Sequence, residues 1–154
     1  MSGSLAHSPA DILRNLIIDL GDGSTPSDDS AWPVYVGQEP NSPDSLITCY
    51  DTAGEIQGKT HIDGEVQERY GVQIRVRDAS FPNGQKKARE IAVALDVVAL
   101  NAVVVSDVVG TGDDTYLVYA VTRRSGPLSL GKATPTSKMN LFTINVVVAL
   151  RQTT

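Results

Sequence analysis

The chain is poor in the residues that most often do chemistry. Its 154 residues include one cysteine, Cys49, and two histidines, His7 and His61, and aromatics make up 5% of it. A lone cysteine forms no internal disulfide, so the fold does not depend on an oxidising compartment. Cys49 stands in an apolar run and reads as a small buried hydrophobe. The histidines are far apart, and neither has a partner at ligand spacing, so no zinc set and no Ser–His–Asp arrangement can be built on them. With so few aromatics, the core must be packed from Val, Ile, Leu and Ala. No apolar run reaches the roughly 18 residues of a membrane span, and no charged-then-apolar leader opens the chain. The expectation is a soluble, cytoplasmic, non-enzymatic protein with no cofactor, no metal and no membrane partner.

Positive charge is also in deficit. Thirteen Lys and Arg face eighteen Asp and Glu, a net −5, which argues against binding driven by phosphate neutralisation. The charge is unevenly spread. Residues 1–68 carry twelve acids and two bases (Arg14 and Lys59), net −10, whereas residues 69–154 carry six acids and eleven bases, net +5. In a folded monomer the two parts mix. In a ring, where one edge of a subunit meets the opposite edge of its neighbour, such polarity acquires a use.

What is present suits one domain over residues 1–154. A helix is predicted over 9–20: Ser8 is a good N-cap, Pro9 fits the first helical position, and Ile12, Leu13, Leu16, Ile17 and Leu20 form one apolar stripe closed by Gly21. Residues 21–31, GDGSTPSDDSA, are an acidic loop by composition. Short strands are predicted near 32–36, with Pro33 hinting at an edge, and near 46–50; the polar stretch 51–66 reads as a long loop. Tyr70, Val72, Ile74 and Val76 alternate with Gln73, Arg75 and Arg77, the period of a half-buried strand over 67–78. A second amphipathic helix is predicted over 85–100, with Lys86, Lys87, Arg89 and Glu90 crowding its first turns against the helix dipole. Residues 103–109 and 115–123 read as a hairpin, 124–139 as another long loop, and 140–150 as a strand apolar on both faces, hence covered on both. The fold class is α+β: a mainly antiparallel sheet of four to six strands flanked by two helices, with long loops free to dock.

The remaining motifs are weak. Asp28-Asp29 and Asp113-Asp114 are acid pairs in polar turns, and Asp22-Gly23-Ser24 lacks the later oxygen ligands and closing glutamate of a calcium loop. Gly110 and Gly112 have no following lysine, and Asp113-Asp114 would repel phosphate. Gly126, Gly131 and Lys132 lack the strand-then-helix context of a phosphate loop. Arg123, Arg124, Lys132 and Lys138 border the second long loop, either as a solvated hairpin end or as a docking patch for an acidic partner. No aromatic residues are interleaved with them for base stacking.

Three segments, in this order and spacing, resemble the tail-terminator (minor capsid) proteins of long-tailed bacteriophages. The first is VYVGQEPNSPDSLITCYDTAG, from Val34 to Gly54, where P-x-x-P-D leads into a strand ending near Y-D-T. The second is RYGVQIRVRDASFPNGQKKAREI, from Arg69 to Ile91, an arginine-alternating strand leading into an amphipathic helix. The third is YLVYAVTRRSGPLSLGKATPTSKMNLFTINVVVALR, from Tyr116 to Arg151, with its S-G-P-x-x-L-G loop. The likeness spans roughly residues 8–151 and departs in the 21–31 loop and in 51–65. It implies a structural virion protein of the tail or neck, assembled in the host cytoplasm. Such a protein forms a ring, typically hexameric, that caps the tail tube and offers a surface to the head connector or stopper. Its partners would be itself, the major tail tube protein and that connector, with viral DNA only passing through the lumen. On this reading Arg123, Arg124, Leu128, Leu130, Lys132 and Lys138 are candidate docking residues. Arg75, Arg77, Lys86 and Lys87 are further candidates from the strand and helix. Asp22, Asp28, Asp29, Asp113 and Asp114 are candidates for an acidic lumen or interface. Another head–tail connector or tail-completion protein, or a small α+β ligand-binding module or enzyme, stays open as an alternative.

Overall fold

A computed structural model of the chain describes residues 7–26, 31–40, 44–59, 66–97, 101–106, 113–124, 127–132 and 139–152. Helix α1 runs from Pro9 to Asp19. Ser8 Oγ accepts the Asp11 N–H at 3.2 Å, which satisfies one of the otherwise orphaned donors of the first turn. Ile12, Leu13, Leu16 and Ile17 are buried along one face. Gly21, at φ 84°, turns the chain out of the helix in the left-handed region that favours glycine.

Seven strands form one sheet: β1 (Val34–Val36), β2 (Leu46–Lys59), β3 (Val66–Asp78), β4 (Asn101–Ser106), β5 (Asp113–Arg123), β6 (Leu128–Lys132) and β7 (Asn140–Gln152). The order across it is β1-β2-β3-β7-β5-β4. β1 runs parallel to β2, and the other pairings are antiparallel. One edge of β7 is shared end to end: β5 pairs with 146–152 and β6 with 140–143. The second helix, α2, runs from Phe81 to Asp96. This is the α+β architecture the periodicities predict, with the longest strands in the middle.

Register decides which face is the core. Ile47 and Cys49 on β2, Val72, Ile74 and Val76 on β3, and Phe142, Ile144, Val146 and Val148 on β7 fall on the same face across the ladders. They share one buried cluster with α1 and with Ala88, Ile91 and Ala92 of α2. Both helices therefore cover one face. α1 packs on β1 and β2 at one edge and on β4 at the other, so the sheet curls around it. Its N-terminus is tied across that curl: the Ala10 N–H donates to Asp51 Oδ1 of β2 at 2.9 Å, and His7 Nδ1 lies 2.7 Å from the hydroxyl of buried Tyr116 on β5.

Four sequence expectations need correcting. Residues 51–59 are not loop but the outer half of β2, paired with β3 and interrupted by register shifts between Thr52 and Glu55 and between Ile56 and Gly58. A strand held by ladder hydrogen bonds in a two-stranded extension needs no apolar alternation, so periodicity does not reveal it. Within 124–139, Leu128 to Lys132 form β6, five residues that are too few to show a period. Helix α2 begins four residues early, with Ser80 as extended N-cap and Pro82 in its first turn. Pro82, which by sequence marks the end of the 67–78 strand, thus stands at a helix start, and Lys86 and Lys87 sit past the first turn, where they oppose the dipole less. α2 ends at Asp96 rather than near 100, and β4 begins at Asn101 rather than 103, while 107–109 lie outside the described residues.

Candidate assembly surfaces

Among the described residues the reactive side chains are withdrawn. Cys49 is fully buried, and desolvation pushes its thiol up to about 12, with Arg14 opposing and Asp51 and Asp11 adding to the rise. His7 is engaged with Tyr116, in an edge-on ring contact as well as the hydrogen bond. His61 lies outside the described residues. Among the described residues no three His, Cys, Asp or Glu come together as a metal set.

The predicted docking and lumen residues divide. Arg77 is nearly buried: its guanidinium lies 3.8 Å from Glu39, and its Nε donates to the Asp44 carbonyl at 3.4 Å. It ties Glu39 and Asp44 to the sheet rather than standing ready for a partner. Lys87 pairs with Glu90 at 3.9 Å and lies over the Trp32 ring at 5.6 Å. Asp22 faces the same place, and its carboxyl is raised by desolvation, against the pull of Lys87 and with the push of Glu90. These contacts pin the base of the acidic loop to α2. The Ser24 N–H adds a hydrogen bond to the Trp32 carbonyl, and Gly23 lets Val34 approach closer than any Cβ would allow. Lys86 is exposed. Arg123 makes a 2.9 Å ion pair with Asp96 at the end of α2, and Arg124 is exposed beside it.

Leu128 and Leu130 are 55% and 46% exposed on β6, and Tyr119 on β5 is 42% exposed. Large apolar side chains left in water on neighbouring strands are the usual mark of a contact surface. Lys132 closes β6, and Lys138 lies outside the described residues. Asp113 and Asp114 are not in a turn: they open β5, opposite Ser106 and Val105 of β4. Asp28 and Asp29 lie outside the described residues. β1 and β2, from the acidic part of the sequence, lie on one side of β3, and β7, β5 and β4, from the basic part, lie on the other.

The face away from the helices holds a feature that sequence reasoning missed. Thr48, Arg75 and Thr143 stand directly opposite one another on β2, β3 and β7. Thr48 and Thr143 are 0% and 3% exposed. Both hydroxyls and the Arg75 Nε are buried with no hydrogen-bond partner among the described residues. The Arg75 guanidinium lies over Tyr50 at 5.3 Å. Tyr50 itself is raised by desolvation and by Glu39, against Arg75 and Arg77. Only the three-strand register brings these residues into a row, and no motif in the sequence announces it.

The class defined by these features is a small α+β domain on one curled sheet, with Cys49 and His7 buried or paired among the described residues and with apolar and basic groups exposed on β5 and β6. Residues 16–138 match the family model described as "Bacteriophage tail terminator protein", and the chain belongs to that family of structural phage tail proteins. Among solved structures it is similar to a chain of the "Virion of native gene transfer agent (GTA) particle", with 14% identity, 78% of each chain covered and a TM-score of 0.41. No curated protein matches it. The family places the protein in the virion, as part of a tail. No helix among the described residues is long and apolar enough to cross a membrane.

Proposed function

We propose that this protein ends the tail. It closes into a ring, hexameric by the family resemblance, on the last ring of tube protein, stops tube growth and offers its other side to the head connector. DNA passes through the lumen as cargo. The observation that carries this reading is the extent of the family match, which reaches from the last turn of α1 through β6 and so takes in α2 and six of the seven strands. The division of charge along the chain supports it. A head-to-tail contact that sets residues of the net −10 first part of one subunit against residues of the net +5 second part of the next brings acids against bases. Leu128, Leu130 and Arg124 are then contact residues. Asp113, Asp114 and the acidic loop are the lumen candidates, since acids facing DNA let it slide.

The test is a phage lacking this protein, made in its own host. Tubes of unregulated length and heads without tails are expected, and added purified protein should restore joining. Tails of normal length attached to heads would refute the proposal. The structure also refines how the second loop should be probed. Deleting 126–137 would remove β6 from β7, so the surface is better tested with Leu128→Ser and Leu130→Ser, which leave the strand in place.

A further inference from the structure

β2 and β3 go on pairing past the end of the sheet. β7 holds β3 from Arg69 to Asp78, and β1 pairs with β2 only from Ile47 to Cys49. Ile56 to Lys59 and Val66 to Glu68 pair with each other, with no third strand beside them among the described residues. This arm reaches roughly 10 Å beyond the last β3 residue that β7 pairs. A two-stranded ribbon is marginally stable in water, so a surface alongside would steady it. The arm is also acidic: residues 51–68 carry Asp51, Glu55, Asp63, Glu65 and Glu68 against one base, Lys59, a net −4.

A surface of opposite character lies at the far end of the sheet. β5 and β6 run in one direction along the same edge of β7, and β4 flanks β5 only as far as Val118. Arg124, Leu128 and Leu130 are exposed on this strip. Residues 119–132 hold three bases, Arg123, Arg124 and Lys132, and no acid. β6 meets β7 at 140–143, where β3 is at its C-terminal end, whereas the arm leaves where β7 reaches Ala149. Those two ends are roughly 20–30 Å apart along β7. The arm therefore points away from the strip of its own chain.

We propose that the β2–β3 arm of one copy lies along the β5–β6 strip of a second copy. The contact takes Leu128 and Leu130 out of water and sets the acidic ribbon against the basic strip. The second copy is favoured by local charge, −4 on the arm and +3 on the strip. It is favoured also by placement. An arm and a strip at opposite ends of one subunit make a head-to-tail contact, in which each copy gives an arm and receives one, and such contacts close rings. This inference rests on the ring reading and assigns that reading one of its contacts.

Sedimentation velocity across a concentration series in about 0.1 M salt, alone and with purified tail tubes, tests it with two charge reversals. One is Glu55→Lys with Glu68→Lys on the arm, the other Arg124→Glu with Lys132→Glu on the strip. Each alone sets like charges together and should raise the dissociation constant for self-association about tenfold or more. Mixed one to one, the two should regain wild-type association, because in an alternating ring every reversed arm meets a reversed strip and every native arm a native one. Either variant associating like wild type overturns the contact, as does a mixture no better than its parts. Weaker tube binding with self-association unchanged would give the arm or the strip to the tube protein and also overturn it. If a reversal does not fold, crosslinking decides. Cys49 is fully buried, so a bismaleimide acts on introduced thiols. Gln57→Cys and Leu128→Cys copies should give no crosslink separately and dimers when mixed; no dimer in the mixture overturns the contact. A wild type that stays monomeric both alone and on tubes brings down the ring reading and the contact with it. A wild type that associates while both reversals match it brings down the contact alone.

Discussion

Gly84→Ala should destabilise this protein although it places the best helix former in a helix. Gly84 is the fourth residue of α2, and a Cβ there would lie 2.6 Å from Cε2 and 3.1 Å from Cδ2 of Phe142. The obstacle is not a side-chain tip that can swing away. Phe142 is 1% exposed near the start of β7, and its ring packs against Phe81 with centroids 5.1 Å apart. Removing a helical glycine returns up to about 1 kcal/mol. Forcing an extra carbon into a packed core costs about 1–3 kcal/mol. The balance is a loss of about 1 kcal/mol, which for a chain of this size lowers Tm by about 2–4 °C. Chemical denaturation gives the free energy and a thermal melt the temperature. A double-mutant cycle with Phe142→Leu isolates the cause, since the alanine should cost less once the ring edge is gone. A Gly84→Ala protein as stable as wild type, or more so, would refute the close approach of α2 to β7.

Three further outcomes follow from single sites. Ser8→Ala removes the hydroxyl that caps α1 and should cost about 1 kcal/mol in urea denaturation. Cys49 should be inert to a thiol reagent such as Ellman's reagent in the native protein and react once in denaturant. Because its folded value, about 12, lies above the unfolded 9.0, stability should fall as pH rises from about 9 toward 12, and Cys49→Ala should flatten that fall. Asp22 is also raised in the fold, so its ionisation works against folding at neutral pH. Asp22→Asn should therefore raise Tm at pH 7, with the gain vanishing below the unfolded value of 3.8.

Much of this fold is legible in the sequence where local signals and burial agree. Ser8, Pro9 and the stripe from Ile12 to Ile17 announce α1, and the alternation from Tyr70 to Val76 announces β3, because each pattern is imposed by a buried face. What burial does not impose is hard to read. The outer half of β2 and all of β6 are held by backbone pairing, so Glu55 or Ser129 carries no mark of its strand. Pro82 misleads because the same residue that ends a strand opens a helix. The parallel pairing of Val34 with Ile47 is a matter of topology. The surfaces show the same split. Exposed Leu128 and Leu130 stand out as apolar residues in a polar stretch, whereas Arg75 and Arg77 look equivalent until packing separates them, one in an ion pair with Glu39 and the other with an unpaired Nε. Thr48 and Thr143 have no sequence signal at all, because their meaning comes from residues 27 and 68 positions away.

The most direct test of the central claim is electron microscopy of tail tube protein polymerising with and without this chain. Tubes in its presence should stop growing and carry one ring at a single end, with subunits whose attachment weakens as salt rises toward about 1 M. Tubes that lengthen equally with and without it, with bare ends, would contradict the account.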